Sequence, residues 1–233
     1  MFQKLLNTLT HREEKEKKDI FDGIVGHENT KNILNLALES NKPVSILLVG
    51  PPGVAKTELI LKILNHNRNK SYFTVGSQST KAGMIDYLFE KRPKVLVVDE
   101  LETMPKSDQV VLLGLTQNGI LAETKIKKTR QTQLDCSVFA TANSTKKILP
   151  PLLTRFLVLE IKEYTRPEFM EICKGMLMRE EGQDETTALF IASQVYDRLA
   201  KPTPRDCVKV ARMYKKISDI NMLIDSMGGL PEQ

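Results

Sequence analysis

Between residues 29 and 161, unbroken apolar runs of three or four residues take turns with stripes at helical spacing. The runs Ile46-Leu47-Leu48-Val49 and Val95-Leu96-Val97-Val98 lack polar alternation, as strands buried on both faces require. Ile33, Leu34, Ala37 and Leu38 share one face of a helix predicted over 29–40, and Pro43 opens the strand that follows. Further helices are expected over 57–65, 81–90 and 108–117, the last ended by Asn118-Gly119, with strands over 72–75, 94–98, 137–141 and 157–161. Ile120, Ala122 and Thr124 alternate with other residues and a return runs over 132–134, so a β-hairpin insert is expected at about 120–134. Beyond Tyr164 only helical periodicity remains, over 167–179, 186–199 and 205–217.

Alternating strand and helix specify an α/β fold with a parallel five-stranded sheet covered on both faces. The change of pattern near residue 163 divides the chain into a lead-in (1–20), a sheet-containing domain (21–163) and a small all-helical domain (164–233). The chain has 233 residues, 41% hydrophobic and 27% charged, an ordinary globular balance. No apolar run approaches the ~18 residues of a membrane span, and residues 1–6 are too polar for a secretory signal, so a cytoplasmic protein is expected. Cys136, Cys173 and Cys207 lie far apart and read as buried thiols. His11, His27 and His66 show no ligand spacing. The mixed charge run over 11–19 is expected to be solvated.

The first strand is followed by Gly50-Pro51-Pro52-Gly53-Val54-Ala55-Lys56-Thr57-Glu58. Such a loop wraps phosphates with backbone N–H groups, meets their charge with Lys56 and holds Mg²⁺ with Thr57, while the helix aims its positive end at the same anion. Ala55 stands where the pattern has a second glycine, which suits a backbone already near helical geometry. The strand ending in Asp99-Glu100 supplies what the loop lacks, a carboxylate for the metal and another to polarise an attacking water. Asn143 follows another strand, where its amide can reach the γ-phosphate or the water. Arg155, just before the last strand, is a candidate arginine finger, and Arg205 can touch phosphates from the helical domain. Ile24 and Val25, ahead of the first helix, are candidates for the wall against the adenine ring.

These residues resemble the AAA+ ATPases over about 21–217. In that resemblance 50–57 is similar to Walker A, Asp99-Glu100 to Walker B, Asn143 to sensor 1, Arg155 to the trans-acting finger and Arg205 to sensor 2. The segments 79–83, 152–156 and 203–205 are most similar to the ATPase motor of Holliday-junction branch migration, and the hairpin to that of minichromosome-maintenance helicases and MoxR-type ATPases. The resemblance implies an αβα P-loop core with a helical lid, ATP and Mg²⁺ as cofactors, and a homo-oligomeric ring, a hexamer, in which Arg155 completes the neighbour's site. The branch-migration motor carries a winged helix after its lid, whereas this sequence stops at Gln233, which implies that a separate DNA-binding or adaptor protein grips the substrate.

Net charge is +5. It concentrates at the hairpin, where Lys125, Lys127, Lys128 and Arg130 face a single acid, Glu123, and in 198–216, where Lys209, Arg212 and Lys216 fall on one face of the expected helix. The polar loop from Ser77 through Ser79 to Lys81 has no aromatic residue, which favours a pore that grips DNA over one that threads protein. A DNA motor is therefore expected. The alternatives are a MoxR-like chaperone acting on a protein and a loader subunit that uses nucleotide as a switch.

Overall fold

The computed structural model of this chain describes residues 19–125 and 128–228. Helix α1 (Glu28–Glu39) leads to β1 (Ser45–Val49), then α2 (Lys56–His66), β2 (Ser71–Val75), α3 (Lys81–Lys91), β3 (Val95–Asp99) and α4 (Lys106–Asn118). The hairpin β4 (Ile120–Lys125) and β5 (Lys128–Gln133) precedes β6 (Ser137–Ala142), the short α5 (Pro150–Leu153) and β7 (Leu157–Glu160). Four helices follow: α6 (Arg166–Glu180), α7 (Glu185–Arg198), α8 (Pro204–Met213) and α9 (Ile217–Met227). Residues 1–18, with nearly all of the expected charged lead-in, lie outside the described residues.

Five strands form one parallel sheet in the order β2-β3-β6-β1-β7. Successive strand residues point to opposite faces, so each central strand feeds two cores. Leu47, Leu96, Val98, Val138 and Ala140 pack under α3, α4 and α5. Ile46, Leu48, Val95, Val97 and Phe139 pack under α1 and α2 with Phe21. Burial on both sides is why β1 and β3 read as unbroken apolar runs. The edge strand β7 leaves Leu157 and Val158 49% and 43% exposed.

The four C-terminal helices have a core of their own. Phe169, Cys173 and Leu177, spaced four apart on α6, meet Ile191 and Val195 of α7, Cys207 and Val210 of α8 and Ile220 and Ile224 of α9. Tyr164 packs partly into this core and partly into the one beneath α1 and α2. Capping boxes fix two helix starts: Glu168 accepts from Thr165 N at 2.8 Å, and Asp206 from Thr203 N at 3.0 Å. All three cysteines are buried and unpaired.

Two features depart from the sequence reading. The helix expected over 205–217 stops at Met213, and α9 is a separate helix whose first turn is held by Asp219, which accepts from Lys215 N and Lys216 N at 3.0 and 3.1 Å. Lys216 is therefore not on the face of α8 with Lys209 and Arg212. Those two are also engaged, Lys209 with Asp206 at 2.9 Å and Arg212 with Glu181 at 2.7 Å.

The hairpin is bolted to α3. Arg92 donates to Thr132 Oγ1 at 2.6 Å and to the Gln133 carbonyl at 2.9 Å. Arg130 pairs with Glu123 at 2.6 Å and with Asp86, and its guanidinium lies 4.4 Å from the Phe89 ring centre.

Candidate active site

Parallel strands end at one edge, so the residues that follow β1, β3 and β6 are brought together there. The loop from β1 passes so close to β7 that a Cβ on Gly50 would stand 2.2 Å from the Ile161 carbonyl oxygen. At Gly53, with φ of +83°, a Cβ would stand 2.9 Å from Thr203, so the loop also touches the helical region. Near-helical geometry at Ala55 is not what the chain adopts: φ is 57° and ψ 16°, the left-handed region. A Cβ crowds the carbonyl in that conformation at roughly 1–2 kcal/mol, so the position keeps a glycine's geometry without the glycine. Glu100 has a similar backbone, with φ of 52°.

Lys56, 6% exposed, opens α2 and turns its ammonium back into the loop. Its Nζ donates to the carbonyls of Gly50 at 2.7 Å and Pro51 at 2.5 Å and to Asn143 Oδ1 at 3.1 Å. Burial lowers its pKa, and the carboxylates of Glu102, Asp99 and Glu100 oppose that shift while Arg205 adds to it. Thr57 Oγ1 lies 3.1 Å from both carboxylate oxygens of Asp99. Thr141 also donates to Asp99, and its hydroxyl accepts from Glu100 N at 3.0 Å. Asn143 is anchored from behind by Glu102.

These groups surround a cavity of about 140 Å³. Pro52, Gly53, Ala55, Lys56, Thr57 and Glu58 line it from the loop and α2, and Asp99, Glu100, Thr141 and Asn143 from the strand ends. Tyr164, Ile172, Met176, Pro204 and Arg205 close it from the helical side. Gly50 and Pro51 contribute to the lysine's anchorage, and Val54 is buried beneath the loop. The hydroxyl of Thr57 against the Asp99 carboxylate is a hard, all-oxygen pair, which fits Mg²⁺, an ion that takes one or two protein ligands and completes its shell with water and phosphate.

Several expected residues lie elsewhere. Ile24 is buried in the core and its carbonyl accepts from Lys31, and neither it nor Val25 lines the cavity. The apolar wall comes instead from Tyr164, Ile172, Met176 and Pro204 across the boundary between sheet and helices. His27 stands beside that wall, its ring 5.0 Å from the Tyr164 ring, and burial lowers its pKa. Arg155 is outside the cavity of its own chain; it donates to Gln117 Oε1 at 2.7 Å and to the Pro151 carbonyl. Arg130, expected to meet DNA, is held inside the chain by Glu123 and Asp86. Lys81 is exposed at the first residue of α3, but Ser79 of the same loop is buried against Thr74 and the Val75 carbonyl. Lys127 and the side chains of Lys125 and Lys128 lie outside the described residues.

Sequence reasoning missed Thr141, Glu102 and the helical wall. A hydroxyl in the otherwise apolar run 138–142 was a signal for the first, and a third acid within four residues for the second. The wall carried no local signal.

A buried lysine turned among backbone carbonyls at the carboxyl edge of a parallel sheet belongs to a P-loop nucleoside triphosphatase. Residues 46–164 match the ATPase family associated with various cellular activities (AAA), and the chain belongs to that family. The chain is 28% identical over 215 residues to the Holliday junction branch migration complex subunit RuvB of Thermotoga petrophila, covering 85% of this chain and 61% of that relative. It is 27% identical to the same subunit of Mycoplasma genitalium, covering 89% and 71%. The chain thus spans about three fifths of the Thermotoga relative's length. In fold it is similar to the Thermotoga maritima RuvB branch migration motor, with a TM-score of 0.62 at 24% identity over 89% of this chain and 73% of that one. Among the described residues no helix is long and apolar enough to cross a membrane.

Proposed function

We propose that this chain is the ATPase engine of a homo-oligomeric ring, a hexamer, that couples Mg²⁺-dependent ATP hydrolysis to movement on or remodelling of DNA in the cytoplasm. The observation that carries the reading is the meeting of Lys56, Thr57, Asp99, Glu100, Asn143 and Arg205 at one cavity. Residues 21–163 act as the nucleotide domain and 164–233 as its lid, with Tyr164 at the hinge.

When ATP enters, Lys56 exchanges the Gly50 and Pro51 carbonyls for phosphate oxygens, and the polyanion restores the charge that burial disfavours. Thr57 and Asp99 hold Mg²⁺, which when bound neutralises charge on the phosphate oxygens. Glu100 accepts the proton of the attacking water, which Asn143 orients. Arg205 reaches the phosphates from the lid. Arg155, held by Gln117 away from its own cavity, is suited to the site of a neighbouring subunit.

DNA is supported by the names of the relatives, which are Holliday junction branch migration subunits, and by the lysines at the hairpin tip. The internal pairing of Arg130, Lys209 and Arg212 withdraws charge from the surface, which favours a second reading, a protein remodeller. Steady-state hydrolysis without DNA, with linear duplex and with a four-way junction separates the two. Stimulation by DNA, strongest with the junction, is expected; turnover indifferent to DNA would transfer the assignment to the remodeller.

A further inference from the structure

Glu102 is three residues beyond Asp99 and is not part of the cavity wall. Its Oε1 accepts from Asn143 twice, from the backbone N at 2.8 Å and from Nδ2 at 2.9 Å. The other end of the amide, Oδ1, accepts from Lys56 Nζ at 3.1 Å. A side-chain amide has one donor end and one acceptor end, and an ionised carboxylate only accepts, so an acid behind the amide decides which end faces forward. The turn that carries Glu102 does not depend on this side chain. It closes through backbone bonds from Thr103 N to Glu100 O at 2.9 Å and from Met104 N to Leu101 O at 3.1 Å.

From this juxtaposition we infer that Glu102 is a positioning residue for ATP hydrolysis, fixing the Asn143 amide with its oxygen toward the nucleotide and its donor end toward the protein. The inference rests on the reading of Asn143 as the residue that orients the attacking water. Once Lys56 turns to phosphate, Oδ1 loses its donor and becomes the acceptor for one proton of that water, opposite the proton that Glu100 takes. Without Glu102 the amide is free to rotate end for end, and half of its orientations offer the water a donor where an acceptor is needed. The Oε2 atom of Glu102 is buried with no partner among the described residues, so the negative charge of the carboxylate bears on Asn143 and on the nearby ammonium. Glu102 is the first among the charges that oppose the burial-driven loss of charge at Lys56.

The test is a double-mutant cycle on hydrolysis, with ATP binding and thermal melting followed on every variant. Glu102→Ala is expected to lower kcat about tenfold or more with KM nearly unchanged, the scale of losing a hydrogen bond to a charged group. The Glu102→Ala, Asn143→Ala double variant should be no slower than Asn143→Ala alone, within about twofold. The nearly isosteric Glu102→Gln, which keeps one acceptor oxygen, should recover part of the rate, and it carries the test if the alanine variant does not fold. Multiplicative losses in the double variant would overturn the inference, as would full activity of Glu102→Ala beside an impaired Asn143→Ala. If instead Asn143→Ala is fully active, the role given to Asn143 fails and the inference with it.

Discussion

The nucleotide cavity and the hairpin both concentrate charged side chains, yet they use them in opposite ways. At the cavity, Lys56, Asp99, Glu100 and Arg205 are gathered from three segments around a space left open to a ligand. At the hairpin, Arg130 is spent on Glu123, Asp86 and the face of Phe89, and Arg92 on Thr132 and Gln133. The first arrangement keeps charge available and the second uses it as a fastener. Two charged regions therefore differ in what they can bind, because Lys56 and Asp99 are held by neutral carbonyl, amide and hydroxyl groups that a ligand can displace, whereas Arg130 is already matched by opposite charges.

The sharpest break of this comparison is at Arg155, which belongs to neither region in its own chain. Arg155→Ala is expected to cut hydrolysis by ~10³–10⁵ while leaving ATP binding nearly intact. Mixing Arg155→Ala with Glu100→Gln chains should recover some turnover, because each supplies what the other lacks. Equal loss of binding and turnover would remove the finger assignment. Next in size is the hairpin itself. Replacing Lys125, Lys127 and Lys128 by alanine should weaken DNA binding and flatten the dependence of log affinity on log salt by about two to three units. Arg130→Ala should leave that slope alone and loosen the hairpin, read as faster amide exchange in β5.

Ala55→Gly sharpens the picture on the cavity side. Removing a Cβ from left-handed backbone, less the entropy of the glycine, should stabilise the chain by about 1 kcal/mol and raise Tm by about 2–4 °C. The smallest effect lies at His27, whose pKa is lowered from 6.5 chiefly by burial, with Lys31 lowering it further and Glu168 and Glu28 opposing. A depressed imidazole means that the unfolded chain binds the proton first, so stability is lost as pH falls below 6.5. His27→Asn, which tolerates the left-handed φ of 58°, should flatten that fall in acid melting curves.

Much of this was legible because phosphate loops and acidic strand ends are local. Gly50 to Thr57 and Asp99-Glu100 carry their chemistry in contiguous residues, and burial on both faces of β1 and β3 writes their strands into the sequence as apolar runs. What was not legible depends on partners far along the chain. The fastening of Arg130 by Asp86 spans 44 residues, and the wall of Tyr164, Ile172, Met176 and Pro204 exists only once the helices fold back on the loop. The conformation of Ala55 was misjudged because the residue type argued for the ordinary helical region, while the close turn around the phosphate site imposes a positive φ. The break between α8 and α9 has no proline or glycine to announce it, only Asp219 three residues after Lys216.

The central claim is that the cavity at the sheet edge hydrolyses ATP through Glu100. Mg²⁺-dependent phosphate release by the unaltered chain and by Glu100→Gln, with ATP binding measured on the same samples, tests it most directly. The account predicts that both bind ATP and that only the unaltered chain turns it over at a useful rate, the variant falling by about 10²–10⁴. Equal turnover by the two chains would contradict it.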